Sequence, residues 1–348
     1  MKKQIYALTD YKNNFGSKWG SIPYRSGFNK DLLRKHFNKF GWDIKFIQFK
    51  NVSFNDDWEN KIVIYTSSEE KGLYYKSYIE DIILGLGRVG AIVIPRYDFL
   101  RSNNNKVYME ILREKLLGKE LSGISSYLYG TLEELRRDLT ERKIQFPCVL
   151  KTAGGAMSRG VYLANNTKDL LRYAKRISRT FHCFHEAKEI FRSKKYKGYQ
   201  KESKFQHKFI VQNFIPELIN DWKILIFGNH YYVLNRGIKV NDFRASGSGY
   251  NYFAGSESRI TNEMLNFLKW LYNKFDVPHL SVDFAFNGIN NIIHEFQAIH
   301  FGTSTMNLSR DLYVFNEIQW DVIENSFSQE EEYVNGIIYY LSKHSETF

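Results

Sequence analysis

Residues 279–299 read HLSVDFAFNGINNIIHEFQAI, two alternating segments around a polar centre. Leu280, Val282, Phe284 and Phe286 alternate with Ser281, Asp283 and Ala285, and Ile292 and Phe296 continue the apolar face on the return. Period-two alternation broken by Asn and Gly is the pattern of a β-hairpin. With residues 287–291 as a five-residue loop, the register predicts Asp283 directly opposite Glu295, and Gln297 two residues further on the same face. Two carboxylates facing each other destabilise a hairpin unless something neutralises them, and a divalent cation does so. Oxygen-only donors on a shared face favour Mg2+, one ion or two, with Mn2+ as an alternative; such ions are commonly held between carboxylates and nucleotide phosphates. The apolar residues around the acids argue against a solvent-facing strand with scattered charges.

Upstream, residues 146–164 (FPCVLKTAGGAMSRGVYLA) place Lys151 at the end of a strand, ahead of a loop with Gly154, Gly155, Ser158 and Gly160. Glycines let backbone N–H groups approach an anion, and the lysine adds a point charge suited to a polyphosphate. The loop is not a Walker loop, since Val161 and Tyr162 stand where Lys-Ser/Thr is required. Residues 209–214 read as a strand, and a hairpin turns at Gly228-Asn229. The extended backbone of Gln212, Asn213, Phe214 and Ile215 has the groups to read an adenine edge. In residues 241–249 (NDFRASGSG), Arg244 precedes Ser246, Gly247 and Ser248, a composition suited to holding an oxyanion or phosphoryl group. Residues 85–90 (GLGRVG) match the dinucleotide pattern by letter, but a helical stretch precedes them and a strand follows, so they read as a helix end.

The first hundred residues alternate strands (5–8, 44–49, 62–65, 91–94) with helices (29–40 the clearest), the pattern of a parallel sheet flanked by helices. A long loop at residues 9–28 offers Ser17, Lys18 and Arg25 as substrate contacts. Residues 101–106 (RSNNNK) read as a linker, giving an N-terminal domain at 1–103 and a second domain at 104–348. Helices are predicted at 107–117 and at 132–142, the latter opened by a Thr131/Glu134 capping box, and a last helix after Ser328. The apolar run behind the first lysines is too short for a secretory leader, and no run approaches a membrane span, so the reading is a soluble, cytoplasmic protein with no membrane partner. Two cysteines in 348 residues make no disulfide framework. The net charge of +11 is concentrated: residues 172–208 hold 12 Lys or Arg against 3 acids. Leu170, Ala174, Ile177 and Phe181 share one face of a helix at its start.

Taken in this order, these residues resemble the ATP-grasp superfamily, particularly the branch with glutathione synthetase and the ribosomal-protein glutamate ligases. The likeness spans roughly residues 106–305, and residues 1–103 fit the small Rossmann-like α/β domain that precedes the module in that family. The resemblance implies an α/β and α+β fold whose closing subdomain covers about 120–213. It implies that Lys106 and Lys151 contact ATP phosphates, that residues 212–215 take adenine, with Glu217 on the ribose, that Lys223, in an Asp221-Trp222-Lys223 triplet similar to the family's Asp-x-Arg/Lys, binds ATP, and that Arg236 and Arg244 lie near the transferred phosphoryl group, where they and Lys151 stabilise the moving charge. Asp283, Glu295 and Gln297 match the metal ligands, although Gln297 stands where the branch has Asn. The implied activity is an ATP- and Mg2+-dependent ligase that joins a small-molecule carboxylate to an amine through an acyl phosphate.

Two other functions compete. One is an ATP-grasp phosphotransferase that forms no amide. The other is a nucleic-acid-binding protein using the aromatic and basic residues of 172–208; nucleic acid is disfavoured because the rest of the chain lacks a basic excess. A zinc site at His182, Cys183 and His185 is disfavoured for want of a fourth ligand. Oligomeric state, a homodimer included, stays open.

Overall fold

The computed structural model describes the chain except residues 1–2, 19, 25, 122–123, 142–143, 156–159, 217, 219, 239–250 and 346–348. The candidates Arg25, Ser158, Glu217, Arg244, Ser246, Gly247 and Ser248 therefore lie outside the described residues. Two compact units divide it: residues 1–103 with 219–348, and residues 104–218.

The first unit opens with a parallel sheet. β1 (Lys3–Thr9), β2 (Trp42–Gln48), β3 (Ile62–Tyr65) and β4 (Ile92–Ile94) lie in the order β2-β1-β3-β4. Helix α1 (Lys30–Lys39) starts where the Asn29 side chain accepts from the backbone N–H groups of Asp31 and Leu32, and its buried face is Leu33, His36 and Phe37. α2 (Tyr74–Arg88) carries Gly85 and Gly87 inside it and ends before Gly90 (φ +85°) and β4, so residues 85–90 do form a helix end. α3 (Tyr97–Ser102) takes up Arg101 and Ser102, so the expected linker shrinks to the three asparagines.

In the second unit, α4 (Lys106–Leu121), β5 (Ser126–Tyr129), α5 (Leu132–Thr140), β6 (Cys148–Thr152), β7 (Val161–Ala164), α6 (Thr167–Ser178), α7 (Cys183–Lys195) and β8 (Phe209–Asn213) follow in sequence. Their sheet runs β5-β8-β6-β7, with every pairing antiparallel. Thr131 and Glu134 form the capping box at α5. Leu132, Leu135, Leu150, Leu170, Ala174 and Phe209 make its core. The helical face expected to reach Phe181 stops short. α6 ends at Ser178, whose hydroxyl donates back to the Ala174 carbonyl at 2.6 Å, and Arg179 leaves helical geometry to bridge Phe205.

The remainder of the first unit is a larger sheet. β9 (Asn220–Phe227), β10 (His230–Gly237), β11 (Tyr252–Ala254), β12 (His279–Phe286), β13 (Asn291–Gln297), β14 (Asp311–Phe315) and β15 (Trp320–Glu324) assemble as β13-β12-β9-β10-β14-β15, with β11 beside β10. α8 (Asn262–Phe275) precedes β12, and α9 (Ser304–Leu308) follows β13. The last helix, α10 (Gln329–Lys343), is capped by Ser328, and its Val334, Ile337 and Leu341 join Ile5, Leu33 and Phe37 in one apolar cluster. A Cβ on Gly336 would lie 2.5 Å from the His279 ring and 2.7 Å from the Pro278 carbonyl, so only glycine lets α10 approach the start of β12.

The β12–β13 hairpin reaches the expected pairing by another route. Phe286 pairs with Asn291, so the loop has four residues rather than five, and the register then shifts at a bulge between Asp283 and Phe284. The extra residue, His294, restores Asp283 to Glu295 and places Ser281 opposite Gln297.

Candidate active site

Four strands of the larger sheet bring one cluster of charges together. Register pairs Asp221 on β9 with Arg236 on β10, Lys223 on β9 with Asp283 on β12, and Asp283 with Glu295 on β13. Side chains alternate across a sheet, so all five share one face. Arg236 grips Asp221 with two parallel bonds, Nε to Oδ1 at 2.7 Å and a terminal nitrogen to Oδ2 at 2.8 Å, and the same nitrogen lies 3.2 Å from Asp283 Oδ1. Lys223 Nζ lies 2.9 Å from that same Oδ1. The Gln297 amide donates to Glu295 at 3.4 Å.

The electrostatics follow from burial. Desolvation works against an ionised Asp283, but Arg236 and Lys223 outweigh it and hold the carboxyl well below its usual range. Burial pushes Asp221 up to about 6 against the pull of Arg236. Desolvation also opposes the Arg236 charge, yet Asp283 and Asp221 keep the guanidinium firmly protonated. The charge facing Asp283 is thus supplied by two side chains, whereas the sequence reading assigned that role to a metal. Fit to a metal rests instead on the donor set: three carboxylates against two cations leave a negative excess, and every carboxylate and amide acceptor is a hard oxygen.

The second unit carries the glycine loop. Lys151 is half-buried at the end of β6, paired in register with Val161 and Ile210. Lys106, at the start of α4, is buried and donates from Nζ to the Gly155 carbonyl at 3.1 Å, while its backbone N–H reaches Ala153 at 2.7 Å. Asn104 accepts from the Gly155 N–H at 2.6 Å, and Thr152 donates to the Gly154 carbonyl at 2.6 Å. Gly160 (φ +75°) packs where a Cβ would meet Thr152 Oγ1 at 2.6 Å, so the loop's exit requires glycine. Lys106, Gly154 and Gly155 are therefore brought together, with Lys151 on the strand leading into them.

Side chains of the expected adenine segment are engaged elsewhere. Gln212 is buried and donates to Ser126 at 2.9 Å; Ser126 donates to Glu110 at 2.5 Å, and Glu110 pairs with Arg113. Asn213 accepts from the Ser125 N–H at 2.6 Å. The segment's capacity to read a base thus lies in backbone past the end of β8, at Phe214 and Ile215. In the first unit's long loop, Lys18 Nζ lies 2.6 Å from buried Glu330, so its charge is held within the protein, while Ser17 lines a cavity. Among the described residues, His185, Glu189 and Glu202 form the cluster spaced for a metal, but Glu189 already accepts from Arg192, Tyr199 and the Glu202 N–H.

Apart from Ser17, the cavity's walls were not singled out by sequence reasoning. Thr66 and Ser67 follow β3 directly, and ligands of parallel sheets sit beyond the carboxyl ends of strands, so the Thr-Ser-Ser run after IVIY was a usable signal.

Solved structures resemble this chain across nearly its whole length. A D-cycloserine synthetase aligns over 96% of this chain and 98% of its own, at 12% identity and a TM-score of 0.52. The chain has the ATP-grasp fold. A D-alanine–D-alanine ligase from Bacillus anthracis with this ATP-grasp fold matches over 99% of this chain and 100% of its own, at 11% identity and a TM-score of 0.50. An N5-carboxyaminoimidazole synthetase from Staphylococcus aureus, solved with ADP, covers 96% of this chain and 76% of its own, at 10% identity and a TM-score of 0.50. Comparison of the sequence with protein-family models and with curated proteins gives no match. Among the described residues, no helix is long and apolar enough to cross a membrane.

Proposed function

We propose that the protein is an ATP-dependent ligase that joins a carboxylate to an amine. The observation that carries this reading is the cluster of Asp221, Lys223, Arg236, Asp283 and Glu295 on one face of a sheet within an ATP-grasp fold. In this reading residues 1–103 form the leading α/β domain, residues 104–348 the ATP-grasp module, and the enzyme works in the cytoplasm.

The chemistry asks for positioning and charge neutralisation, not for a protein nucleophile. A substrate carboxylate oxygen attacks the γ-phosphorus of ATP, the bond to the bridging oxygen breaks, and ADP leaves with that electron pair. The amine then attacks the acyl carbon, inorganic phosphate departs, and the nitrogen loses a proton. Lys151, Lys106 and the backbone of Gly154 and Gly155 receive phosphate oxygens, with Ser158 completing the loop. The backbone of Phe214 and Ile215 reads adenine, beside Gln212 and Asn213, and Glu217 takes the ribose. Arg236 and Arg244 face the charge that develops on the moving phosphoryl group, with Lys223 beside them. Asp283, Glu295 and Gln297 would hold Mg2+, which supplies neutralisation of phosphate charge when bound. Ser17, Arg25, Ser246, Gly247 and Ser248 contact the acid or the amine.

Glu295→Gln and Asp283→Asn test the assignment. Turnover should be lost in both while the circular dichroism spectrum stays that of the parent; full activity in both variants would remove these acids from the site.

A further inference from the structure

A cavity opens wholly within the first unit. Its walls include the rings of Phe28, Tyr65, Phe227, His279, Phe301 and Tyr333. No Asp, Glu, Lys or Arg lines it among the described residues. Lys18, next to Ser17 in the long loop, is paired with Glu330, which also accepts from the Asn29 N–H at 2.8 Å. His279 adds no charge at neutral pH, since burial holds it down to about 4. Its Nε2 lies 2.8 Å from the Tyr333 carbonyl, so that nitrogen carries the proton.

Two polar groups in this wall are unanswered. Ser67 and Gln329 are 6% and 7% exposed, and Ser67 Oγ and Gln329 Oε1 have no hydrogen-bond partner. The other end of the Gln329 amide is held, donating to Asn307 at 2.7 Å, so its orientation is fixed and Oε1 is left as an acceptor. Buried polar groups are nearly always satisfied, and exceptions ask for an explanation. An aromatic wall with a fixed acceptor and an unengaged hydroxyl suits a flat group bearing an N–H or O–H donor. It disfavours a charge, because no carboxylate, ammonium or guanidinium lines it among the described residues to neutralise one.

We propose that this cavity takes the uncharged, ring-like, hydrogen-bond-donating end of one of the ligase's two substrates. The assignment rests on the ligase reading for the word substrate, and the position fits it. His279 in the cavity wall and Asp283 in the acid cluster lie four residues apart on the same face of β12, about 13 Å along the strand, and Ala298 of the wall directly follows Gln297. A substrate with its carboxylate or amine at one end and a neutral ring at the other spans that interval.

A matched set of probes tests the proposal without ATP: benzamide, benzoate and benzylamine, each titrated against the full chain by ligand-observed NMR. Benzamide should bind, and benzoate and benzylamine at least tenfold more weakly. Ser67→Leu, which fills the cavity, should weaken benzamide at least tenfold; Ser67→Ala, which removes only the hydroxyl, should weaken it severalfold and guards against a misfolded leucine variant. Glu295→Gln should leave benzamide binding unchanged. Absence of benzamide binding, equal binding of a charged probe, or indifference to both Ser67 variants would overturn the proposal. Benzamide binding in a protein that never turns over ATP would refute the ligase reading and leave the cavity assignment standing.

Discussion

His279 is a buried imidazole whose protonation the fold opposes, and its effect on stability can be worked out. The ring stacks on Tyr333 at 4.4 Å between centroids, beside Phe227 and under Gly336. Burial depresses its pKa from 6.5 to about 4, only partly offset by its bond to the Tyr333 carbonyl. Below pH 6.5 the unfolded chain takes up a proton that the folded chain refuses, so His279 contributes stability above that pH, and the contribution drains as pH falls towards 4. The gap amounts to about 3 kcal/mol in full, from 1.36 kcal/mol per pH unit. Urea denaturation between pH 4 and 7 reads the slope, and His279→Gln supplies the comparison. The variant should be less stable at pH 7 but show a limb between pH 4 and 6.5 flatter by that amount. Identical slopes in the two proteins would mean that the imidazole is not buried as described.

Arg236→Met should cost about 3–5 kcal/mol by chemical denaturation at pH 7, because it strips the bidentate partner from buried Asp221 and leaves part-buried Asp283 with Lys223 alone; a loss under about 1 kcal/mol would contradict the pairing. Turnover should fall with it. Lys151→Ala should weaken ATP binding at least tenfold by calorimetry, and an unchanged affinity would remove the residue from the phosphate site. Gly160→Ala should lower both stability and ATP affinity, since φ is +75° and Thr152 fills the space; a silent substitution would argue against the loop geometry.

Local signals in the sequence translated directly into structure. The Asn29, Thr131 and Ser328 caps start helices because each side chain bonds backbone only two or three residues away. The Asp283–Glu295 pairing was legible from alternation, but the loop length was not, since a bulge at His294 compensates for the shorter loop. The hint was the pair Ile292 and Ile293, both buried, where strict alternation would expose one. The Asp221–Arg236 pair follows from a two-residue turn at Gly228-Asn229 once that turn is granted. The neutralising role of Lys223 and Arg236 towards Asp283 was beyond such reasoning, because strand order β12-β9-β10 is decided by long-range packing. The same holds for the cavity, whose walls come from residues 16 to 333.

The central claim is tested most directly by Mg2+-dependent ADP release from ATP across mixtures of carboxylates and amines, with mass spectrometry of each active mixture and Glu295→Gln as control. The account predicts release that requires one acid and one amine, a product lighter than their sum by one water, and silence in the variant. A stable phosphorylated product with no amide, or release that persists in Glu295→Gln, would contradict it.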